Sequence, residues 1–362
     1  MPRRRRQWWV SPSFDWLLVF IPISVAARFL VQEPVVVFVL SALAILPLAG
    51  LIGRATEQVA AHSGQRLGGL FNATFGNVTE LIISIFLLAA GETDVVKVSL
   101  IGSVLGNLLL VMGTSFLVGG WGREEQSFSA HAASVHSVSL LLGVLGLVMP
   151  TMFALTATQD TQAQRSIVSA VVAVLLIALY GGALLFMLVT HTRLFPVLES
   201  GTAEWSLRRA LLVLGLAAGL VGVESEILVG SLEQAAHALG ISPLFIGLVV
   251  VPIVGNAAEH ASAVFFAAKD QLDATLEIAT GSSTQIALLL APLLVFISLL
   301  FAHPMDLVFS PIELIALALA VLIGTVVARD GRSNWLEGAQ LLAAWGIVAA
   351  AFFFLERAPT AH

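Results

Sequence analysis

Eleven long apolar stretches, separated by short polar breaks, run along this 362-residue chain. A helix needs about 20 mostly apolar residues to cross the hydrocarbon core of a bilayer, and most of the stretches reach that length. The pattern therefore predicts an all-α polytopic membrane protein with eleven transmembrane helices. The predicted spans cover residues 15–31, 35–53, 67–90, 95–118, 131–150, 166–190, 206–229, 241–268, 272–301, 307–328 and 335–355.

The amino-acid composition also indicates a membrane protein. Hydrophobic residues make up 58% of the chain and charged residues only 11%, whereas soluble domains carry about 25% charged residues. This excludes a soluble globular enzyme, a disordered chain and a nucleic-acid-binding protein. The chain has no cysteine, which also excludes disulfides, thiolate metal ligands and cysteine nucleophiles.

The positive charges are distributed unevenly around the predicted spans. Cytoplasmic loops of membrane proteins are enriched in Lys and Arg. With eleven spans and an internal N-terminus, thirteen basic residues fall inside and three fall outside. We therefore expect a multi-pass cell-membrane protein with Met1 in the cytoplasm and His362 outside. The inside set is Arg3, Arg4, Arg5, Arg6, Arg54, Arg66, Arg123, Arg193, Arg208, Arg209, Lys269, Arg329 and Arg332, and the outside set is Lys97, Arg165 and Arg357.

An internal repeat links the two halves of the chain. The motif Gly-Asn-Val-Thr-Glu that ends at Glu80 recurs as Gly-Asn-Ala-Ala-Glu ending at Glu259, 179 residues later. The ungapped match extends to Ser103 and Ser282, and eight of its 28 residue pairs are identical. Chance similarity of two apolar helices does not explain a shared Gly-Asn-x-x-Glu in mid-membrane.

The repeat divides the chain into two units of five predicted spans. Five is odd, so the second unit enters the membrane from the opposite side, as in the inverted repeats of secondary transporters. We expect a basic N-terminus and first helix in 1–34, the first repeat in 35–190, a linker in 191–205 and the inverted second repeat in 206–362. Transporters of this kind place their binding site near the midplane, where the repeats meet.

Glu80 and Glu259 are the strongest candidates for that site. A charge at the bilayer centre costs about 2.5–3.5 kcal/mol on insertion scales. A Gln would satisfy a packing hydrogen bond at lower cost, so two acids at matched positions of the repeat indicate function.

Several polar residues accompany the two acids. Asn77 and Asn256 lie three residues before them, on the same helical face, where an amide either ligates a cation or holds helices together. Ser103 and Ser282 serve close helix packing or offer oxygen ligands, and Gln285 is expected to line the site. Asn107 belongs to the same polar stretch as Ser103, and His260 either tunes Glu259, relays a proton or packs between helices. The full candidate set is Glu80, Glu259, Asn77, Asn256, Ser103, Ser282 and Gln285, with Asn107, His260 and Glu57 as accessory residues.

These side chains offer oxygen atoms from carboxylates, amides and hydroxyls. Calcium takes 6–8 oxygen ligands and tolerates irregular geometry, whereas magnesium demands a near-ideal octahedron. Without cysteine, and with few histidines at the motif positions, a zinc-type site is disfavoured. The residues themselves therefore point to a hard cation, with calcium the best fit.

The paired motifs resemble those of the cation/proton exchanger family, within the calcium/cation antiporter superfamily. The resemblance rests on residues 71–80, 99–103, 255–260 and 281–286, and extends over essentially the whole chain. Sodium/calcium exchangers usually carry Pro-Glu or Pro-Asp in this motif. The Asn-Val-Thr-Glu and Asn-Ala-Ala-Glu present here favour protons as the counter-ion.

The resemblance implies an eleven-span antiporter that exports Ca²⁺ from the cytosol in exchange for H⁺. Both ions are transported substrates, and no resident cofactor is implied. Glu80 and Glu259 would form the shared site, Ser282 and Gln285 would assist coordination, and Glu57 would line the cytosolic vestibule. The linker holds only Glu199 and Glu204, unlike the acidic helix that many family members carry there, which puts regulation by that segment in doubt.

Three other functions compete with this interpretation. A sodium/calcium or sodium/proton exchanger would use the same architecture. An intramembrane hydrolase is disfavoured because the chain has no HExxH motif and no evident base for the serine at position 283. A passive channel is disfavoured because carboxylates at the centre of an inverted repeat are typical of alternating access. The oligomeric state stays open.

Overall fold

The computed structural model describes residues 15–157, 161–191 and 203–355. The basic run at residues 3–6, most of the 191–205 linker and the C-terminal residues 356–362 lie outside the described residues. A 3₁₀ turn, Asp15–Val19, leads into the helices. These are α1 (Phe20–Leu30), α2 (Pro34–Phe75), α3 (Val78–Ala90), α4 (Thr93–Gly120), α5 (Ala130–Thr156), α6 (Gln162–Thr190), α7 (Leu207–Leu239), α8 (Pro243–Ala268), α9 (Leu272–Ser298), α10 (Pro311–Val327) and α11 (Trp335–Leu355).

Most of these helices are long and apolar enough to cross a membrane. In the described part of the chain eight meet that standard by length and composition, and α3 and α10 are shorter apolar helices. The predicted class, a helical multi-pass membrane protein, is confirmed. α7 has 33 residues and is about 50 Å long, longer than the ~30 Å hydrocarbon core, so it must tilt in a bilayer or extend beyond it.

The second and third predicted spans are joined differently from the sequence expectation. The polar break expected at 54–66 is helical, because Glu57, Gln58 and the alanines around them are good helix formers, and α2 runs on to Phe75. The helix bends sharply there. A Cβ added at Gly68 would lie 2.8 Å from the Ala60 carbonyl oxygen, although a straight helix separates residues eight apart by about 12 Å.

The two copies of the repeated motif have different backbones. In the first half the chain breaks at Gly76 and Asn77, and Asn77 precedes the first residue of α3. In the second half α8 continues through Gly255 and Asn256, so the glycine of this motif does not break the helix. The irregularity lies upstream instead, in a π-helical turn, Ile246–Val250, just before Pro252.

Helices α4 and α9 form the centre of the molecule. In their apolar windows 89% and 72% of residues are buried, against 17% in α6 and α11. Each central helix contains a π-helical turn, Gly106–Val111 in α4 and Ile286–Leu290 in α9. A shift of 179 residues brings these two turns into register, the same shift that aligns the Gly-Asn-x-x-Glu motifs.

One end of the molecule is held together by a short ribbon. Strand β1 (Gln126–Ser127), between α4 and α5, pairs antiparallel with β2 (Arg332–Ser333), between α10 and α11. Gln126 Nε2 donates to Asp270 Oδ1 at 2.7 Å, which brings in the loop between α8 and α9. These three loops therefore lie on the same face.

The opposite end is joined by polar contacts between other loops. Lys97, near the start of α4, pairs with Asp306 at 2.5 Å. The backbone N–H of Leu307 donates to Ser169 in α6 at 3.0 Å, so the α9–α10 loop contacts the start of both helices. Every one of these contacts joins segments that alternating membrane crossings would put on the same side.

Candidate functional site

Glu80 is held by side chains from two other helices. It is the third residue of α3, directly after the chain break, and only 5% of it is exposed. Ser103 of α4 donates a hydrogen bond to Glu80 Oε1. Asn256 Nδ2 of α8 donates to the same oxygen at 2.5 Å. One carboxylate thus connects both halves of the chain.

A second set of contacts surrounds Glu259. Ser282 of α9 donates to Asn77 Oδ1 at 3.0 Å, and its hydroxyl is also within hydrogen-bonding distance of the Glu259 carboxylate. In each half the serine contacts the acid of its own half. The two asparagines instead reach across to the other half, so the predicted repeat interface is where these residues meet.

Each acid has one carboxylate oxygen without a partner. Among the described residues, Glu80 Oε2 and Glu259 Oε2 are buried and accept no hydrogen bond. Asn77 Nδ2 is likewise unpaired. Buried polar atoms are normally satisfied because an unmet one costs free energy, and a bound cation or a proton would satisfy both carboxylates.

Glu80 and Glu259 have no third acidic or histidine side chain near enough, among the described residues, to complete a metal site. No group of three or more His, Cys, Asp or Glu side chains in the described part of the chain could hold a metal ion. A hard cation between Glu80 and Glu259 would therefore take its remaining ligands from neutral oxygens, which calcium accepts readily. The nearest candidates are the Asn77 amide oxygen and the hydroxyls of Ser103 and Ser282.

Two glycines allow the helices to approach closely around the acids. A Cβ at Gly255 would lie 3.0 Å from Glu80 Cγ. A Cβ at Gly102 would lie 2.1 Å from the carbonyl oxygen of Leu248 in the π turn of α8. A side chain at Gly102 would collide with the α8 backbone, and one at Gly255 would displace the Glu80 side chain, so both glycines are needed for this close approach.

The accessory residues are partly drawn into the site. His260 Nε2 lies 3.1 Å from Asn107 Oδ1, which ties α8 to the π turn of α4. Gln285 is buried in α9, with 7% of it exposed. Glu57 is exposed on α2, one turn after Arg54, and no contact recorded for the described residues joins it to the two acids.

Two further acids have partners that the sequence analysis did not predict. Glu224 of α7 is fully buried, and both its carboxylate oxygens lie within 2.7 Å of Ser24 Oγ in α1. Glu277 of α9 lies 3.1 Å from His136 Nε2 of α5. Neither pair has a counterpart in the other half of the chain. Glu80 and Glu259 were found because they occupy matched positions of the repeat.

The chain matches a known family over most of its length. The sequence profile of the sodium/calcium exchanger protein family aligns with residues 33–189 and 209–354. The chain belongs to the sodium/calcium exchanger protein family. The two matched blocks correspond closely to the two predicted repeat units, and the predicted resemblance is confirmed.

Relatives within this exchanger family are close. A protein of Synechocystis sp. named Ca(2+)/H(+) antiporter is 45% identical, with 95% of this chain and 98% of the relative covered. The Ca(2+)/H(+) antiporter ChaA of Bacillus subtilis is 44% identical over 92% and 97% of the two chains. The solved structure of native YfkE matches with a TM-score of 0.83 at 41% identity, covering 94% and 99%.

Proposed function

We propose that this exchanger exports Ca²⁺ from the cytosol in exchange for H⁺ by alternating access, with Glu80 and Glu259 as the shared ion site. The observation that carries the proposal is the pair of carboxylates, each with one buried and unpartnered oxygen, of which Glu80 is bound by side chains from both halves. The Ca(2+)/H(+) antiporters of Synechocystis and Bacillus, at 44–45% identity, support the choice of ions.

The coupling follows from charge balance. Two ionised carboxylates carry −2, which one Ca²⁺ or two protons neutralise. An empty site would keep its full charge in a low-dielectric interior, where an isolated charge is very costly. Reorientation therefore requires calcium or protons to be bound, which makes the protein an antiporter and not a leak.

Neutral oxygens complete the proposed calcium site. The Asn77 amide oxygen and the hydroxyls of Ser103 and Ser282 already lie against the acids or their partners. Turning from their present hydrogen bonds toward a cation would make them ligands. Asn256, as a donor to Glu80, orients the carboxylate. Gln285, which is buried one turn after Ser282 on α9, is a further candidate oxygen ligand.

We also propose that the chain crosses the membrane eleven times, as two inverted five-helix units in 35–190 and 206–362 preceded by one extra helix. The loop contacts at the two ends of the molecule are those that alternating crossings require. The shared 179-residue register of the π turns supports the repeat. The thirteen-to-three distribution of basic residues supports a cytoplasmic N-terminus.

The test is calcium transport by variants of the two acids. Everted vesicles with an imposed pH gradient should take up ⁴⁵Ca, and an uncoupler should stop the uptake. Glu80→Gln and Glu259→Gln remove one charge each with little change in shape, so each should abolish uptake while the protein still folds and inserts. Glu226→Gln is the matched control. Glu226 is an exposed acid outside the site, and it forms a 2.9 Å ion pair with Arg28.

Several outcomes would contradict the proposal. Wild-type uptake by either acid variant would remove that acid from the ion site. Uptake that persists when the pH gradient is collapsed would remove protons as the counter-ion. Replacing Na⁺ with choline distinguishes the alternative, because a sodium-coupled exchanger would then lose its flux.

A further inference from the structure

A second titratable pair lies one and a half helical turns from the ion site. Glu277 precedes Ser282 by five residues on α9, about 7.5 Å along the helix axis. Its Oε2 lies 3.1 Å from His136 Nε2, and 7% of the His136 side chain but 43% of the Glu277 side chain is exposed. The Glu277 carboxylate is therefore accessible at the protein surface, whereas the His136 ring is buried.

The exposure of Glu277 is local to one face of a central helix. From Ala274 to Leu288 only Glu277, Ile278 and Gly281 escape full burial. Glu277 Oε1 lies 3.3 Å from the position that a Cβ would take at Gly281, so the two residues share that face. Because 72% of the apolar window of α9 is buried, this exposed face is a narrow opening on an otherwise enclosed helix.

The turn that carries Glu277 also contacts the helix that carries Glu259. The π-helical turn Glu277–Gly281 packs against α5, α8 and the π turn of α4, and Glu259 is also partly exposed. Glu277 lies on the side of Ser282 nearer the Lys269 loop, on the face with the β1–β2 ribbon. The basic residues predict that this face is cytoplasmic.

Few charged groups on the packed helices compete for Glu277. On α5 only His136 contacts it, since His131 is exposed at the helix start. Tyr180 of α6 interacts with it electrostatically. On α8 the titratable groups are Glu259 and His260, and one turn earlier on α9 Asp273 accepts from the Ser129 N–H at 2.7 Å.

We propose that Glu277 and His136 form a staging site, where a divalent cation arriving from this face binds before it reaches Glu80 and Glu259. The inference rests on the proposed calcium/proton exchange. Protonated His136 and ionised Glu277 make a neutral pair. When Ca²⁺ binds the exposed carboxylate it takes the place of the imidazolium charge, and His136 releases one proton to the same side.

This arrangement makes calcium entry to the site depend on pH at this face. At low pH the carboxylate is held by imidazolium and attracts calcium weakly. At high pH His136 is neutral and the carboxylate is free for the cation. Protons released here do not cross the membrane, so the staging site changes the apparent affinity for calcium and leaves the transport stoichiometry unchanged.

The test measures initial ⁴⁵Ca uptake into everted vesicles at several calcium concentrations, at pH 6 and pH 8, so that the cytoplasmic face is the binding face. Glu277→Gln keeps the shape and loses the charge. It should raise the calcium KM about fivefold at pH 8, because a divalent ion some 8 Å away loses the attraction of one carboxylate in water. The kcat should stay within about twofold of the wild type. His136→Gln keeps the carboxylate free at both pH values, so the rise in its KM from pH 8 to pH 6 should be smaller than in the wild type, with the remaining rise due to protons at the shared ion site.

The outcomes separate this inference from the exchange function itself. Absence of proton-driven calcium uptake in the wild type would overturn both. Normal wild-type uptake, with unchanged KM in both variants, would overturn the staging site alone. A fall in kcat with unchanged KM would make the pair a packing contact and would also overturn it. Should Glu277→Gln fail to insert, His136→Gln decides, and the control Glu226→Gln should match the wild type at both pH values.

Discussion

A single methyl group at Gly255 should disable the ion site while leaving the fold intact. Gly255 is the first residue of the second motif, and α8 passes Glu80 of α3 at this point with no side chain between them. The Cβ of Gly255→Ala would lie 3.0 Å from Glu80 Cγ and 3.9 Å from Ile83 Cδ1. The nearest atom belongs to the side chain that we assign to the ion.

The size of the displacement follows from ordinary contact distances. Carbon atoms pack best at about 3.5–4.0 Å, so Glu80 Cγ must retreat by roughly 0.5 Å or more. Functional groups have to be held within about 0.5 Å of their working geometry, and a 1 Å misplacement costs about 100-fold in rate. Gly255→Ala should therefore lower calcium flux about tenfold. Because the clash is with a movable side chain, the protein should still fold.

The assay is proton-driven ⁴⁵Ca uptake in vesicles with equal amounts of inserted protein. Gly219→Ala on α7 is the matched control, since a Cβ there meets nothing within 4 Å, and it should transport like the wild type. Gly102→Ala is the opposite extreme, because its Cβ would collide with backbone atoms of Leu248, and it should reduce the yield of folded protein. Full activity in Gly255→Ala would refute the close approach of α8 to Glu80.

Two further predictions concern packing and topology. Ser24→Ala removes the hydroxyl that Glu224 contacts with both oxygens; the free energy of unfolding should fall by about 1–3 kcal/mol, and the unfolding temperature in detergent should fall with it. The control Ser41→Ala loses only a hydrogen bond within its own helix and should destabilise the protein less. Equal shifts in the two variants would contradict a stabilising role for the Ser24–Glu224 pair. Reporter fusions at Met1 and His362 should label opposite compartments, with Met1 cytoplasmic, and labelling on one side would mean that a span has been miscounted.

Hydropathy and the repeat carried much of the sequence prediction. The apolar stretches predicted the helices because membrane spans leave a strong, length-matched signal. The acids stood out because a charge in mid-membrane is expensive, and the repeat placed Glu80 and Glu259 at equivalent positions. The contacts among Glu80, Ser103 and Asn256 were consistent with these predictions.

Other features left no such signal in the sequence. The bend between Ala60 and Gly68 was hidden because a polar break that forms helix looks like a loop in a hydropathy pattern. His136 and Glu277 lie 141 positions apart in the chain, and neither has a titratable partner at the matched position of the repeat, so nothing in the sequence indicated that they pair. Long-range pairing of this kind is set by how helices pack, and local sequence does not encode it.

The two halves share a sequence pattern but differ in how closely their helices cross. In one half Gly102 of α4 lies against the backbone of Leu248 in α8. In the repeat, Gly281 is the counterpart of Gly102, and α2 is the counterpart of α8. The atoms nearest to a Cβ at Gly281 nevertheless belong to Glu277 and His136 and not to α2. Packed interfaces tend to be bistable. Under the proposed alternating access between inverted repeats, a move of the close crossing from one half to the other would close the opening beside Glu277 and form a matching one on the opposite face.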